Sequence, residues 1–170
     1  MNRNMMIGLS AIMIALSLAG GYARAHCQVP CGIYDDPARF VLLREHVTTI
    51  EKSMREIERL GTETPANWNQ IVRWVMNKEQ HADELTEIVT YYFLAQRIKA
   101  PATDDAASLA KYVRQLELTH GMITAAMKAK QTTDLENCVK LRKLIDQFEA
   151  LYFGKEAVAH AHNHDHGHSH

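Results

Sequence analysis

From Asp35 onward, apolar residues return at three- and four-residue steps, the period of helices with one buried face, and strand-like alternation is nearly missing. Asp35-Asp36-Pro37 predicts a helix start, with a carboxylate cap and a proline in the first turn. Phe40, Leu43, Val47, Ile50, Met54 and Ile57 follow on one stripe, and Gly61 ends the run. Thr62 to Ala66, which contains Pro65, reads as a turn. A second segment extends from about Asn67 to Lys99 with Ile71, Val75, Leu85, Ile88, Val89, Tyr92 and Phe93, and Pro101 closes it. A third begins at Thr103-Asp104 and carries Leu109, Tyr112, Val113, Leu116, Ile123 and Met127. The fourth opens on a capping box, Thr133 with Glu136, and carries Leu135, Val139, Ile145, Phe148 and Tyr152 to a stop at Gly154. Four such helices with short connections predict an all-α fold, an antiparallel up-and-down four-helix bundle over residues 35–154.

The two ends of the chain break this pattern. Asn2 and Arg3 precede an almost wholly apolar run, Met5 to Leu18, which Gly20 and Gly21 interrupt before Ala23-Arg24-Ala25. The run is shorter than the roughly 20 residues needed to span a bilayer, and the small residues at 23 and 25 suit signal peptidase. Residues 1–25 therefore read as a signal peptide cleaved after Ala25, which sends the mature protein to the periplasm or outside the cell and leaves no stable membrane insertion. At the other end, residues 155–170 finish in a segment with histidine at every second position from His160 to His170, which holds six of the ten histidines. Small and polar residues separate them, so no packed core can form and the segment reads as a disordered tail. Imidazoles at that density hold extra nickel, copper or zinc loosely; the plainer reading is a solvated low-complexity end.

The formal net charge is −1, which gives no reason to expect nucleic acid or an anionic membrane as a partner. The three cysteines are Cys27, Cys31 and Cys138, an odd number that leaves at least one thiol free or metal-bound in an exported chain. Cys138 lies within the fourth helix and reads as a buried apolar thiol.

Cleavage after Ala25 makes His26 the amino terminus. The stretch His26-Cys27-Gln28-Val29-Pro30-Cys31-Gly32-Ile33-Tyr34 then offers a free α-amine, an imidazole and two thiols in one short loop. The terminal amine, the amide nitrogen of Cys27 and its thiolate can close two fused five-membered chelate rings, and a turn at Pro30 returns Cys31 as a second thiolate. Two nitrogens and two sulfurs in a plane suit nickel(II), whereas zinc prefers a tetrahedron. The alternative is a Cys27–Cys31 disulfide, which an oxidising compartment permits.

His26-Cys27-x-x-Pro30-Cys31-Gly32-x-Tyr34 at a processed amino terminus resembles the nickel hook of the nickel-containing superoxide dismutases. The resemblance continues through Asp36-Pro37, the helix carrying Val47 and Met54, and Lys78-Glu79-Gln80 in the second helix, and it fades over the last two helices. It implies a small four-helix bundle with an ordered amino-terminal metal-binding hook at residues 26–34, a homohexamer with one nickel ion per subunit, and superoxide as substrate. It also implies ligation by His26 (amine and imidazole), Cys27 (amide and sulfur) and Cys31 (sulfur), with Ni(II)/Ni(III) cycling and Tyr34 lining the approach. In the family a glutamate of the first helix orients the axial histidine, supported by an arginine after Lys-Glu-Gln; those positions here are Leu43 and His81. Glu45 falls on another side of the helix, and His46, His81 and His120 read as ordinary helix histidines. The alternative from another class is a non-enzymatic periplasmic protein that binds or delivers nickel or copper.

Overall fold

The computed structural model describes residues 29–102 and 105–154, so the leader, His26, Cys27, the Thr103-Asp104 helix start and the histidine tail lie outside the described residues. Four helices account for nearly all of what is described: α1 (Asp36–Gly61), α2 (Trp68–Glu87), α3 (Ala106–Gln131) and α4 (Glu136–Phe153), with α2 running on as a π-helical segment, Ile88–Arg97. No strand occurs among the described residues. The fold is an all-α four-helix bundle.

Local chemistry explains most helix starts. The Asp35 side chain accepts from the Ala38 amide at 3.1 Å, with Pro37 in the first turn of α1. Asn67 caps α2 by accepting from the Gln70 amide, and Asp105 caps α3 by accepting from the Ser108 amide at 2.8 Å. The capping box expected at Thr133 and Glu136 is not what starts α4. That helix begins after Leu135 without a side-chain cap, and Asp134 Oδ1 instead accepts from the Glu136 amide at 3.0 Å. A nearer carboxylate has taken the place of the hydroxyl.

Phe40, Leu43, Val47, Ile50 and Met54 of α1 are all fully buried, so the predicted stripe is the core face. In α3 the stripe is set differently. Leu109, Val113 and Met127 are exposed, while Leu118, Thr119, Met122, Ala125, Ala126 and Ala129 face inward. Small side chains let α3 pack closely, and a periodicity weighted towards large apolar residues overlooks them. The approach is tightest at Gly121, where an added Cβ would stand 3.2 Å from Leu144 of α4. Likewise Val139 of α4 is exposed, and Cys138 and Leu141 take the inner positions.

Residues early in α1 face residues late in the π segment and α4. The Phe40 ring centroid lies 5.0 Å from that of Phe93 and 5.5 Å from that of Phe148, and Tyr152 and Phe153 join the same aromatic cluster. Toward the other end of α1, the Asn77 amide donates to Ser53 Oγ at 2.9 Å. Arg44 binds Asp146 and the buried Glu149, and Arg142 binds Glu51, which ties α1 to α4 along its outer edge.

Lys78 is buried to 4 % exposure, and its Nζ donates to the carbonyls of Lys130 at 2.7 Å and Thr132 at 3.0 Å. It thus serves carbonyls at the end of α3 that have no partner within their own helix. Burial pulls the ammonium below the ordinary lysine value, against the pull of Glu79 and Cys138. Lys78→Met keeps the length and removes both donors, so it is expected to cost about 2 kcal/mol, read as a lower urea midpoint at unchanged helicity.

Candidate metal centre

Before α1 the chain turns at residues 29–32. Cys31 has φ +31° and Gly32 φ +91°. Two successive residues in left-handed backbone are unusual. The second tolerates it because glycine has no Cβ, and an added Cβ at 32 would meet nothing within 4 Å, so conformation rather than space selects glycine. Cys31 is exposed. His26 and Cys27, the other expected ligands, lie outside the described residues, so the hook as a unit is not described. Cys138 is fully buried, and its Sγ donates to Met54 Sδ at 3.7 Å. Burial raises that thiol to about 11, with the Glu51 carboxylate adding to the effect. A thiol so placed stays protonated and shut away, which leaves Cys31 as the accessible one of the two.

Tyr34 is held by three contacts. Its hydroxyl donates to Gln96 Oε1 at 3.3 Å, its ring stands edge-on to Tyr92 with centroids 5.8 Å apart, and the Arg97 guanidinium lies 4.3 Å over its face. Those partners converge in turn on Asp36. Its carboxylate accepts from Arg97 Nε at 2.9 Å and Nη2 at 2.5 Å, from Tyr92 at 2.6 Å and from Tyr152 at 2.8 Å. Burial pushes the Asp36 carboxyl up, but the hydrogen bonds from Arg97, Tyr92 and Tyr152 outweigh it and hold it below the usual carboxylate value. Burial, and then the Asp36 charge, lift both tyrosine hydroxyls to about 12. The residue two places after Tyr34 is therefore pinned to the π-helical segment and to α4 by charge-assisted hydrogen bonds.

Leu43, at the position where the family carries a glutamate, is part of the core, and Glu45 is exposed on another side of α1. His81 does not stand alone. His46 Nδ1 lies 2.9 Å from His81 Nδ1, and the Glu84 carboxylate lies 3.4 Å from the first and 3.5 Å from the second. Burial holds the His46 imidazole below its ordinary value, with His81 adding to that and Glu84 and Glu45 opposing. The sequence alone presents the two as separate helix residues. The available signal was His81-x-x-Glu84 on one face of α2, but its partner 35 residues earlier needs the packing of α1 on α2 to be seen. His120 is exposed on α3.

The chain matches the family described as nickel-containing superoxide dismutase over residues 21–156. It belongs to that family. No curated protein and no solved structure matches. As a superoxide dismutase of the nickel type, it takes a nickel cofactor in each subunit. Cys31, an exposed thiol on a turn, is of a ligand type that nickel accepts. The histidine–glutamate group on α1 and α2 is formed wholly by residues of the bundle.

Proposed function

We propose that nickel in this dismutase is held by His26, through its terminal amine and imidazole, by Cys27, through its amide and sulfur, and by Cys31, through its sulfur. The reading rests on signal-peptide removal after Ala25, because a backbone amine is a ligand of this kind only at a terminus. The observation that carries it is the accessible Cys31 thiol on a left-handed turn, within a family match whose span takes in residues 26–34. When bound, nickel supplies one-electron chemistry between Ni(II) and Ni(III), so that one superoxide is oxidised to dioxygen and a second, with two protons, is reduced to hydrogen peroxide.

The protein's own groups set the conditions for that exchange. The backbone amides at Cys31 and Gly32 donate towards the thiolates and blunt their oxidation by product peroxide. Tyr34, fixed by Gln96, Tyr92 and Arg97, presents its hydroxyl edge to incoming superoxide or water and orders it. The working particle is a homohexamer in the periplasm or outside the cell, and the tail from His160 to His170 keeps nickel available without entering the site. The test combines nickel content and the mature amino-terminal residue, both by mass spectrometry, with superoxide decay after pulse radiolysis. One nickel per chain, His26 at the terminus and fast decay are expected. Full activity in nickel-free protein would refute the assignment.

A further inference from the structure

His46 comes from α1, and His81 and Glu84 from one face of α2. Their donor atoms are separated by 2.9, 3.4 and 3.5 Å, and all lie within 4.8 Å of one another. A cation about 2 Å from each donor, the distance zinc takes to imidazole nitrogen and carboxylate oxygen, would sit within about 1 Å of the plane of the three. Its bonds to the two nitrogens would then meet at about 90°, and the positions on the solvent side would stay open. Exposure rises across the group, from 11 % for the His46 side chain to 23 % for His81 and 38 % for Glu84, so an ion can enter from one side while the innermost ligand remains fixed. In the absence of a cation, two ring nitrogens 2.9 Å apart require a single proton shared between them.

We propose that His46, His81 and Glu84 form a second metal site, built by the bundle alone, that binds a borderline divalent cation such as zinc. Two imidazoles and one carboxylate with an open side form a three-ligand set well suited to zinc. The cation takes the place of the shared proton, which is carried instead on Nε2 of the same ring, so both histidines bind as neutral imidazoles. Because the site joins α1 to α2 at mid-bundle, occupation ties the two helices together and stabilises the fold by mass action.

The test uses the full mature, nickel-loaded protein, titrated with zinc against a competing chelator, and compares it with His81→Gln and Glu84→Gln. The hook and the histidine tail are the same in all three, so their zinc cancels in the comparison. The wild type is expected to retain about one zinc per chain more than either variant. Its affinity at this site should be at least 100-fold higher, and zinc should raise its melting temperature while leaving those of the variants unmoved. Zinc-edge absorption of the wild type given a single equivalent of zinc, which the tighter site takes ahead of the loose tail, should show two imidazole nitrogens and a carboxylate oxygen, a readout that stands even if a variant folds poorly. Equal zinc content and affinity in all three proteins, with no imidazole at the wild-type zinc edge, would overturn the proposal. Lost dismutase activity in variants with unchanged zinc binding would overturn it too, and would make the pair a positioning element for the nickel centre.

Discussion

Mature protein that keeps Ala25 ahead of His26 is expected to lose nickel and dismutase activity together, by more than about 100-fold. The added peptide bond converts a free amine, a good donor near neutral pH, into an amide whose nitrogen lone pair is delocalised, and the chelate ring that the amine closes with the Cys27 amide nitrogen opens. Cys27→Ser and Cys31→Ser should abolish activity by another route, since a hydroxyl cannot supply the sulfur donation that brings Ni(III) within reach. Cys138→Ser serves as the control. It places a hydroxyl beside Met54 Sδ in a fully buried position and should cost about 1 kcal/mol of stability with activity per bound nickel intact. Activity per nickel, measured across the four variants, decides the matter. Full activity with Ala25 retained, or equal losses at all three cysteines, would show that the ligands lie elsewhere.

Replacement of Asp36 should be the most damaging single change within the bundle. Asp36→Ala strips the partner from Arg97, Tyr92 and Tyr152 at once, and the guanidinium is left only partly solvated. A loss of about 3 kcal/mol is expected in chemical denaturation, against about 1 kcal/mol for Tyr152→Phe, which removes one donor. The same cluster gives stability a dependence on pH at both extremes. The Asp36 carboxyl is held below its unfolded value, so its contribution is present above about pH 4 and is lost as pH falls through the lowered value. The tyrosine hydroxyls are raised to about 12, so theirs is present below about pH 10 and is lost as pH rises from there towards 12. Unfolding curves for Asp36→Ala should be flatter in both windows. Wild-type slopes at either end would mean that other groups govern them.

The helices were legible because their signals are local. A carboxylate or amide before each of the first three helices, a Pro37 in the first turn and a strict apolar stripe on α1 require no knowledge of the rest of the chain. The face of α3 was less so, since its core positions include Ala125, Ala126 and Ala129, whose value lies in how close they allow α4 and its neighbours to come. The proposed hook rests on a signal of the local kind: six residues behind the expected cleavage site contain every proposed donor. The His46–His81 pair and the Asp36 cluster could not be read, because each joins residues from separate helices and neither has a spacing of its own. No periodicity announces the π-helical segment either.

That segment has a consequence for chain length. On an α-helix, residues five apart point about 140° away from each other. Tyr92 and Arg97 are five apart, yet both reach the one carboxylate of Asp36, and the Ile98 amide bonds back to the Phe93 carbonyl at 2.8 Å, the five-residue reach of a π-turn. The wide winding makes neighbours of positions that ordinary winding would separate, while Phe93 stays in the core. The stretch from Ile88 to Arg97 therefore carries slack that the rest of the bundle lacks. Loss of one residue between Tyr92 and Arg97 would let it rewind as plain α-helix with the two side chains four apart, on one face and still within reach of the same acid, whereas loss of one ahead of Tyr92 would leave them five apart and on different faces. Evolution can shorten this helix and keep the anchor beneath Tyr34 only where the residue it removes lies between the two donors.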